Sequence, residues 1–227
     1  MTSYDYIVVG AGSAGSVVAA RLSENPGAQV LLLEAGPASG PAAVSVPPAW
    51  FTLIDSEVDW RYSTVEQPGL AGAALPYPRG KMRGGSSSIN GMFYLRAAPS
   101  SYDAWAADGA PGWGYADLLP YFRRVETTHG RDPRYRGTDG PMKPARAANI
   151  HPVARALQRA FEQLGYPVAA DLSGADREGV SRPELTVVDG VRQSAADGHG
   201  AARRRSRRAA GRLGRGLRRE ARRACGW

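Results

Sequence analysis

Runs of apolar residues broken by glycine organise the start of the chain. Tyr6-Ile7-Val8-Val9 is a short β-branched run ending in glycines, the pattern of a buried parallel strand. From Ser13 to Asn25 the positions Val17, Val18, Ala19, Ala20 and Leu22 follow helical spacing, and Asn25-Pro26-Gly27 closes the segment. Val30-Leu31-Leu32-Leu33 is a second buried strand, ending at Glu34. Together they predict one βαβ unit with a right-handed crossover, and hence an α/β fold class.

Further along, regular periodicity is rarer. Residues 36–80 are rich in Pro, Gly and aromatics and predict irregular chain laid over a larger body. A glycine- and serine-rich turn spans Gly84 to Asn90, followed by the mixed segment Gly91 to Leu95. A helix is predicted over Tyr115–Val125 with Leu118, Leu119, Tyr121 and Phe122 as its apolar positions. Another is predicted over Pro152–Leu164, where Val153, Leu157, Ala160, Phe161 and Leu164 form a stripe and Gly165 supplies the stop. Leu185-Thr186-Val187-Val188 is the best late strand candidate, and no internal repeat is present.

Charge changes this picture only at the end of the chain. The formal net charge is +8, but His199–Trp227 holds eleven arginines against the single acid Glu220. The other 198 residues carry eighteen basic and twenty acidic side chains and are mildly acidic. The excess is therefore local, and the segment has neither interleaved aromatics nor a nucleic-acid-binding motif, so the alternative it offers is nonspecific nucleic-acid binding, and specific binding is not expected. Arg, Ala and Gly make up 22 of its 29 residues, a composition that predicts disorder or a solvated helix. Cys225 is the only cysteine, which excludes an intrachain disulfide and a multi-cysteine metal site. No run of about 18 apolar residues suggests a membrane span. The N-terminus lacks the pattern of a secretory signal, and a cytoplasmic location is expected.

Gly10-Ala11-Gly12-Ser13-Ala14-Gly15 fits G-x-G-x-x-G in the required context. It follows a predicted strand and opens a predicted helix, and the acidic Glu34 stands 19 residues after Gly15 at the end of the next strand. Gly10 permits the tight turn, Gly12 lets a pyrophosphate approach the backbone, and Gly15 lets the helix pack on the strand. The helix N-terminus offers N–H groups and partial positive charge to phosphate. Glu34 can accept hydrogen bonds from ribose hydroxyls and would repel a 2′-phosphate. The pattern predicts a Rossmann-like FAD/NAD(P)-binding βαβ core and does not by itself distinguish the two cofactors.

Two longer strings carry a resemblance. Ile7 to Gly15 with Leu31-Leu32-Leu33-Glu34-Ala35-Gly36-Pro37, and then Gly80-Lys81-Met82-Arg83-Gly84-Gly85-Ser86-Ser87-Ser88-Ile89-Asn90-Gly91-Met92, resemble the opening and first signature of the glucose–methanol–choline oxidoreductases. Similar strings continue at Asp59 to Tyr62, Gln67 to Gly69, Pro120 to Arg124, Gly165 to Pro167 and Gly174 to Gly179, so the resemblance spans about residues 4–197. It implies an FAD-dependent oxidoreductase acting on CH–OH donors, with a small-molecule alcohol as substrate. It also implies irregular extensions and the early segments of a substrate domain from about residue 115.

Cofactor contacts are implied for Gly10, Gly12, Ser13, Ala14, Gly15, Glu34 and Ala35, and for Gly84, Gly85, Ser86, Asn90, Gly91 and Met92, with Asn90 near the flavin. Ile89 stands where members with covalently attached flavin have histidine, so the FAD is expected to be non-covalent. Arg83 replaces a usual apolar residue, and a guanidinium buried there without a partner would be costly.

The family's catalytic histidine region and second signature have no counterpart here. His129, His151 and His199 lie outside that context, so no catalytic residue and no metal ligand is assigned. The abrupt change to Arg, Ala and Gly, all with GC-rich codons, is what a shifted reading frame would produce. On that reading the chain is an incomplete fold: 1–197 is the FAD-binding portion, 198–227 is a non-family tail, and the product is inactive. The resemblance leaves the alcohol, the electron acceptor and the oligomeric state open.

Overall fold

The computed structural model describes residues 3–147 and 149–199. The arginine-rich tail from residue 200 onward, with Cys225, lies outside them. In chain order the strands are β1 (Tyr6–Val9), β2 (Val30–Leu33), β3 (Tyr62–Ser63), β4 (Pro76–Tyr77), β5 (Phe93–Tyr94), β6 (Ala145–Arg146), β7 (Glu184–Leu185), β8 (Val187–Val188) and β9 (Val191–Arg192). The helices are α1 (Ser13–Leu22), α2 (Pro99–Ala107), α3 (Tyr115–Val125), α4 (Pro152–Gln163) and α5 (Ala195–Gly198). The described chain divides into two compact units. The first takes residues up to Val44, Phe51–Ile89 and the segment from Ser194; the second takes Ser45–Trp50 and Asn90–Gln193.

In the first unit β1 and β2 pair in parallel, from Tyr6 opposite Val30 to Val9 opposite Leu33. Helix α1 crosses between them and packs on both, as the βαβ pattern predicts. Its length is shorter than expected: it stops at Leu22, and Ser23 caps it by bonding its hydroxyl to the Ala19 carbonyl (2.7 Å). Burial is also less than predicted. Val8 faces the helix, whereas Ile7 is 60% and Val9 81% exposed. Successive strand residues point to opposite faces, and only the α1 side of this two-stranded sheet is covered among the described residues.

The irregular stretch after β2 is held by one carboxylate. Asp59, buried, accepts N–H bonds from Arg61 (3.1 Å) and Arg79 (2.9 Å) on Oδ1 and from Asp55 (2.9 Å) on Oδ2. Burial alone would raise its pKa, but these amides outweigh it and the pKa lies below the usual value. The loop so closed encloses a small core of Leu53, Val58, Met82 and Ile89. Two-residue strands β3 and β4 pair antiparallel beyond it.

Helix α5 returns to this unit. Its Ser194 and Asp197 form a capping box: Asp197 Oδ2 accepts from Ser194 N (3.1 Å) and the Ser194 hydroxyl accepts from Asp197 N (3.3 Å). Packed against α1, it carries the buried His199 at its C-terminal end. Burial, and then the nearby Arg21 charge, lower the His199 pKa from its ordinary 6.5.

The second unit joins β5, β7 and β6 into an antiparallel sheet with β7 in the middle. The predicted strand at 185–188 divides at Thr186 into β7 and β8, and β8 turns back onto β9. Asp189 and Gly190, both with positive φ (51° and 76°), make that two-residue turn, the chemistry a type I′ hairpin requires.

Helix α3 has the predicted bounds. Helix α2, not anticipated, begins at Pro99, a residue suited to a first helical turn. Its Asp103 accepts the Tyr115 N–H at the start of α3 (2.9 Å), and Tyr102 contacts Trp105, Tyr115 and Phe122 at ring distances of 5.3–6.1 Å. Helix α4 forms almost as predicted, capped by His151 Nδ1 accepting from Val153 N (3.3 Å). Its apolar stripe is not core, however. Val153, Leu157 and Leu164 are 67%, 57% and 75% exposed, because that face is open to solvent among the described residues.

The centre of this unit is ionic. Arg136, fully buried, bonds Glu126 through Nε (2.7 Å), Glu184 through Nη2 (2.6 Å) and Asp171 through Nη1 (2.6 Å). Arg96 reaches Glu126 (2.6 Å) and Arg131 reaches Glu184 (2.7 Å), so three guanidiniums balance three carboxylates. Burial works against the Arg136 charge, but the bonds to Glu126 and Glu184 prevail and hold its pKa above the ordinary arginine value. Burial and then Glu126 raise the Tyr94 phenol in the same way.

Removing one partner of a buried ion pair costs about 3–5 kcal/mol. Arg136→Ala is expected to lose roughly that much stability in denaturant titration, whereas the exposed Arg134→Ala should change it little. His199 generates a second prediction. Above pH 6.5 the residue is neutral in both states and its linkage is silent; below 6.5 the unfolded chain takes up a proton that the folded site resists. Thermal stability should therefore fall as pH drops through 6.5 toward the lowered folded value, and His199→Asn should flatten that part of the profile.

Candidate functional site

Two glycine-bearing loops, distant in sequence, meet at the N-terminus of α1. Gly84 N–H donates to the Ala11 carbonyl (2.7 Å), and Gly10 N–H to the Leu33 carbonyl (2.8 Å), tying both loops to the end of the parallel sheet. The fit is close enough to demand glycine. A Cβ on Gly15 would stand 1.9 Å from the Gly10 carbonyl oxygen, and one on Gly85 would stand 2.6 Å from the Gly12 Cα. Contacts under 3.0 Å to backbone cannot be relieved by a rotamer change, so Gly15 serves helix–strand packing and Gly85 serves loop–loop packing. Gly12 itself meets nothing nearer than the Gly85 Cα at 3.9 Å, which leaves its outer side open.

Helix α1 starts at Ser13 with Gly12 as N-cap and no side-chain cap. Ser13 and Ala14 are exposed, so the first-turn amides and the positive end of the helix dipole stand at the surface of the loop. Glu34 lies beside them. Its Oε2 accepts Ala11 N–H (2.7 Å) and its Oε1 accepts Gly36 N–H (2.9 Å). Those bonds fix the rotamer and leave further lone pairs on both oxygens. Ala35 follows in an exposed turn. Ser86, predicted to contact cofactor, uses its hydroxyl to accept Gly80 N–H (3.2 Å) and so shapes the second loop from within. Ser87 secures the far side, donating to the Gly84 carbonyl (2.5 Å) and accepting Ala195 N–H (2.9 Å). Arg83 is not the buried guanidinium feared from the sequence: its side chain is 40% exposed, 3.9 Å from Asp197.

The structure thus brings together Gly10, Gly12, Ser13, Ala14, Gly15, Glu34, Ala35, Gly84, Gly85 and Ser86. Asn90, Gly91 and Met92 belong to the second unit. There Asn90 Oδ1 accepts Met92 N–H (3.0 Å) and Arg192 Nη1 (2.9 Å), and the Arg192 Nη1 also reaches the Asn90 carbonyl (2.7 Å). The amide oxygen is thereby engaged, and the Asn90 Nδ2 is the end directed to no partner among the described residues. Met92 is buried with φ of 63°, and its carbonyl accepts Thr186 N–H (2.9 Å). Sequence reasoning missed Gly36, whose Cβ would stand 1.9 Å from the Lys81 carbonyl oxygen. Its place beside the Glu34 bond was the available signal.

The three histidines fall away from these loops in role. His129 lies in an exposed turn, His151 caps α4 and His199 ends α5. No group of three or more His, Cys, Asp and Glu suited to a metal occurs among the described residues.

An interlocked glycine loop at an uncapped helix N-terminus, with an acid at the end of the adjacent strand, defines a nucleotide-binding βαβ unit. The comparisons with known proteins narrow the class. The profile of the GMC oxidoreductases matches residues 4–205. The chain belongs to that family.

It is 44% identical over 201 residues to the mitochondrial choline dehydrogenase of Homo sapiens, covering 85% of this chain and 34% of that protein. The oxygen-dependent choline dehydrogenase of Vibrio vulnificus (strain YJ016) is also 44% identical, over 200 residues, with 86% and 36% covered. Among solved structures, pyridoxine 4-oxidase from Mesorbium loti superposes with a TM-score of 0.85 at 38% identity, covering 89% of this chain and 41% of that one. The formate oxidase of Aspergillus oryzae gives 0.77 at 29% identity, with 86% and 36% covered. The chain therefore spans about a third of the length of the curated relatives it matches.

The loop packing predicts a graded response to added methyl groups. Gly15→Ala and Gly85→Ala should each lower the melting temperature clearly in a thermal scan, whereas Gly69→Ala, where a Cβ meets nothing within 4 Å, should leave it nearly unchanged.

Proposed function

We propose that this chain binds FAD non-covalently and forms the cofactor-holding part of an oxidoreductase acting on CH–OH donors. The observation that carries the reading is the lock between the two glycine loops beneath the open N-terminus of α1. Ser13 and Ala14 are exposed there, and a Cβ on Gly12 would meet nothing nearer than the Gly85 Cα at 3.9 Å, so main-chain donors are open to a pyrophosphate. That arrangement fits a dinucleotide on the chemistry of its donors: amides and a helix dipole for phosphate, and the Glu34 carboxylate for the adenosine ribose hydroxyls.

The similar proteins support FAD over a nicotinamide cofactor. They include an FAD-dependent oxidoreductase from Chaetomium thermophilum, alongside choline dehydrogenases and a fungal aryl-alcohol oxidase. When bound, the flavin supplies the two-electron acceptor for a hydride from an alcohol carbon. The protein's share, as far as these residues go, is to hold and orient. Gly84, Gly85 and Ser86 wall the pyrophosphate side, and the family resemblance implies a flavin contact for Asn90, whose amide oxygen is already engaged by Arg192. Ile89 is buried against Leu53, Val58 and Met82 and offers no nucleophile for a covalent link to flavin. No side chain described here is assigned as the base that takes the alcohol's proton, and the substrate class is a small-molecule alcohol.

The visible absorption spectrum of the purified chain, before and after excess FAD and desalting, tests this. Retained flavin absorbance is the expected result, and a colourless protein that keeps no FAD would overturn the proposal. Glu34→Ala should weaken retention by roughly tenfold, the effect of losing about one charge-assisted hydrogen bond. An equal loss in an Asp132→Ala control would show that the effect is not specific to the site.

A further inference from the structure

The second unit contains a cleft that the cofactor reading does not use. It lies beside the ionic centre and is lined by Tyr94, Arg131, Arg146, Asp171, Arg182 and Glu184, among others. Positive charge is in excess there. Arg131 is paired with Glu184, and the carboxylates of Glu184 and Asp171 are already engaged by the buried Arg136. Arg146 has only neutral partners, donating from Nη2 to the Ala170 carbonyl and the Ser181 hydroxyl. Arg182 is exposed and makes no hydrogen bond or ion pair among the described residues. Burial, followed by the charges of Arg131 and Arg182, lowers the Arg146 pKa, and the opposing attraction of Glu184 and Asp171, both already engaged by Arg136, does not restore it.

Two polar atoms of the lining are buried without a hydrogen-bond partner: the Arg146 Nε donor and the Asp171 Oδ2 acceptor. Buried polar atoms are nearly always satisfied by protein, water or ligand, so a donor and an acceptor without protein partners in one cleft offer a matched pair to a ligand. A simple anion answers the donor and the net charge but would repel Asp171. An anion that carries its own proton answers all three: its oxygens accept from arginine and its O–H donates to the carboxylate.

We propose that this cleft binds inorganic hydrogen phosphate. At neutral pH inorganic phosphate retains at least one proton, whereas sulfate has none and a phosphate monoester has largely lost its last, with a second pKa of about 6. The cleft is small, with about 10 Å³ available to a water-sized group, so it takes one phosphate oxygen and leaves the rest of the anion outside. The phosphates of FAD are diesters without a proton at neutral pH, so the two sites select different ligands.

Isothermal titration of the full chain with sodium phosphate at pH 7, in a background of sodium chloride at matched ionic strength, tests the assignment. Saturable binding of phosphate with sulfate at least roughly tenfold weaker is expected, since the unmatched carboxylate oxygen costs about one hydrogen bond or more. Arg146→Gln should weaken phosphate about tenfold, and Arg182→Gln, at the surface, should weaken it several-fold while leaving the melting temperature without phosphate unchanged. Should Arg146→Gln fail to fold, Arg182→Gln and the phosphate–sulfate comparison decide the matter. Absence of saturable binding, equal affinity for sulfate, or full affinity in Arg182→Gln would each overturn the proposal. The last result would trace any binding to the α1 N-terminus or the basic tail instead.

Discussion

The second unit depends on the Arg136 guanidinium, which is completely removed from water. Taking a charge out of water is costly, and hydrophobic side chains of similar size would often serve stability as well. What the ion network provides is exact bookkeeping of geometry: three carboxylates from separate segments must converge on one planar fork. Glu126 comes from the end of α3, Asp171 from the turn after α4 and Glu184 from β7; Glu126 takes Nε and Nη2 of Arg136, Glu184 takes Nη2 and Asp171 takes Nη1. Apolar packing tolerates a slipped register, but these bonds do not. The sheet in this unit consists of two-residue strands, too short to specify their own pairing, so the charges fix what the strands cannot.

The first unit solves the same problem with backbone. Its apolar cluster is small, and much of the parallel sheet's outer face is exposed. Order comes from the meeting of two glycine loops, from Glu34 bridging Ala11 and Gly36, and from Asp59 gathering three amides. Each of these closes a loop by satisfying main-chain N–H groups that would otherwise require water. Carboxylates placed against amides also favour the ionised acid, which is the direction seen at Asp59.

The parts legible in the sequence are those with a local cause. Strands β1 and β2, helix α1, the bounds of α3 and the cap of α4 follow from periodicity and from residues such as Gly12, Pro152 and Gly165 whose backbone preferences act within a turn. The grouping of Gly10–Gly15 with Glu34 was legible for the same reason. Burial was not: Val9 and Leu157 have apolar side chains in regular elements, yet whether a face is covered depends on chain elsewhere. Helix α2 was overlooked because its Ser, Asp and Ala content presents little apolar stripe, and it is recruited through aromatic contacts of Tyr102. The β8–β9 hairpin had a signal, Asp189-Gly190 between valines, that a search for turns would have caught. The ionic centre was illegible because Arg136, Asp171 and Glu184 sit in turn-rich segments where charged residues read as solvated, and nothing local distinguishes a buried arginine from an exposed one such as Arg134.

The contrast between the two units bears on how each can recognise a ligand. A site made of amides at fixed loops has little to rearrange on binding, because the bonds that define it already exist in the free chain. Glu34 illustrates this: held by two N–H groups, it has surrendered its rotamer freedom before any ribose arrives, so that entropic cost does not recur at binding. Such a site recognises the shape common to dinucleotides and discriminates weakly among them. Side chains with unused hydrogen-bonding capacity recognise a ligand differently, by its pattern of donors and acceptors, and the second unit contains such groups. The Asn90 amide is oriented by Arg192, and Arg146 Nε and Asp171 Oδ2 are a donor and an acceptor without partners among the described residues. The two units thus differ in what they offer a ligand: fixed main-chain donors in the first, and polar side chains with unused hydrogen-bonding capacity in the second.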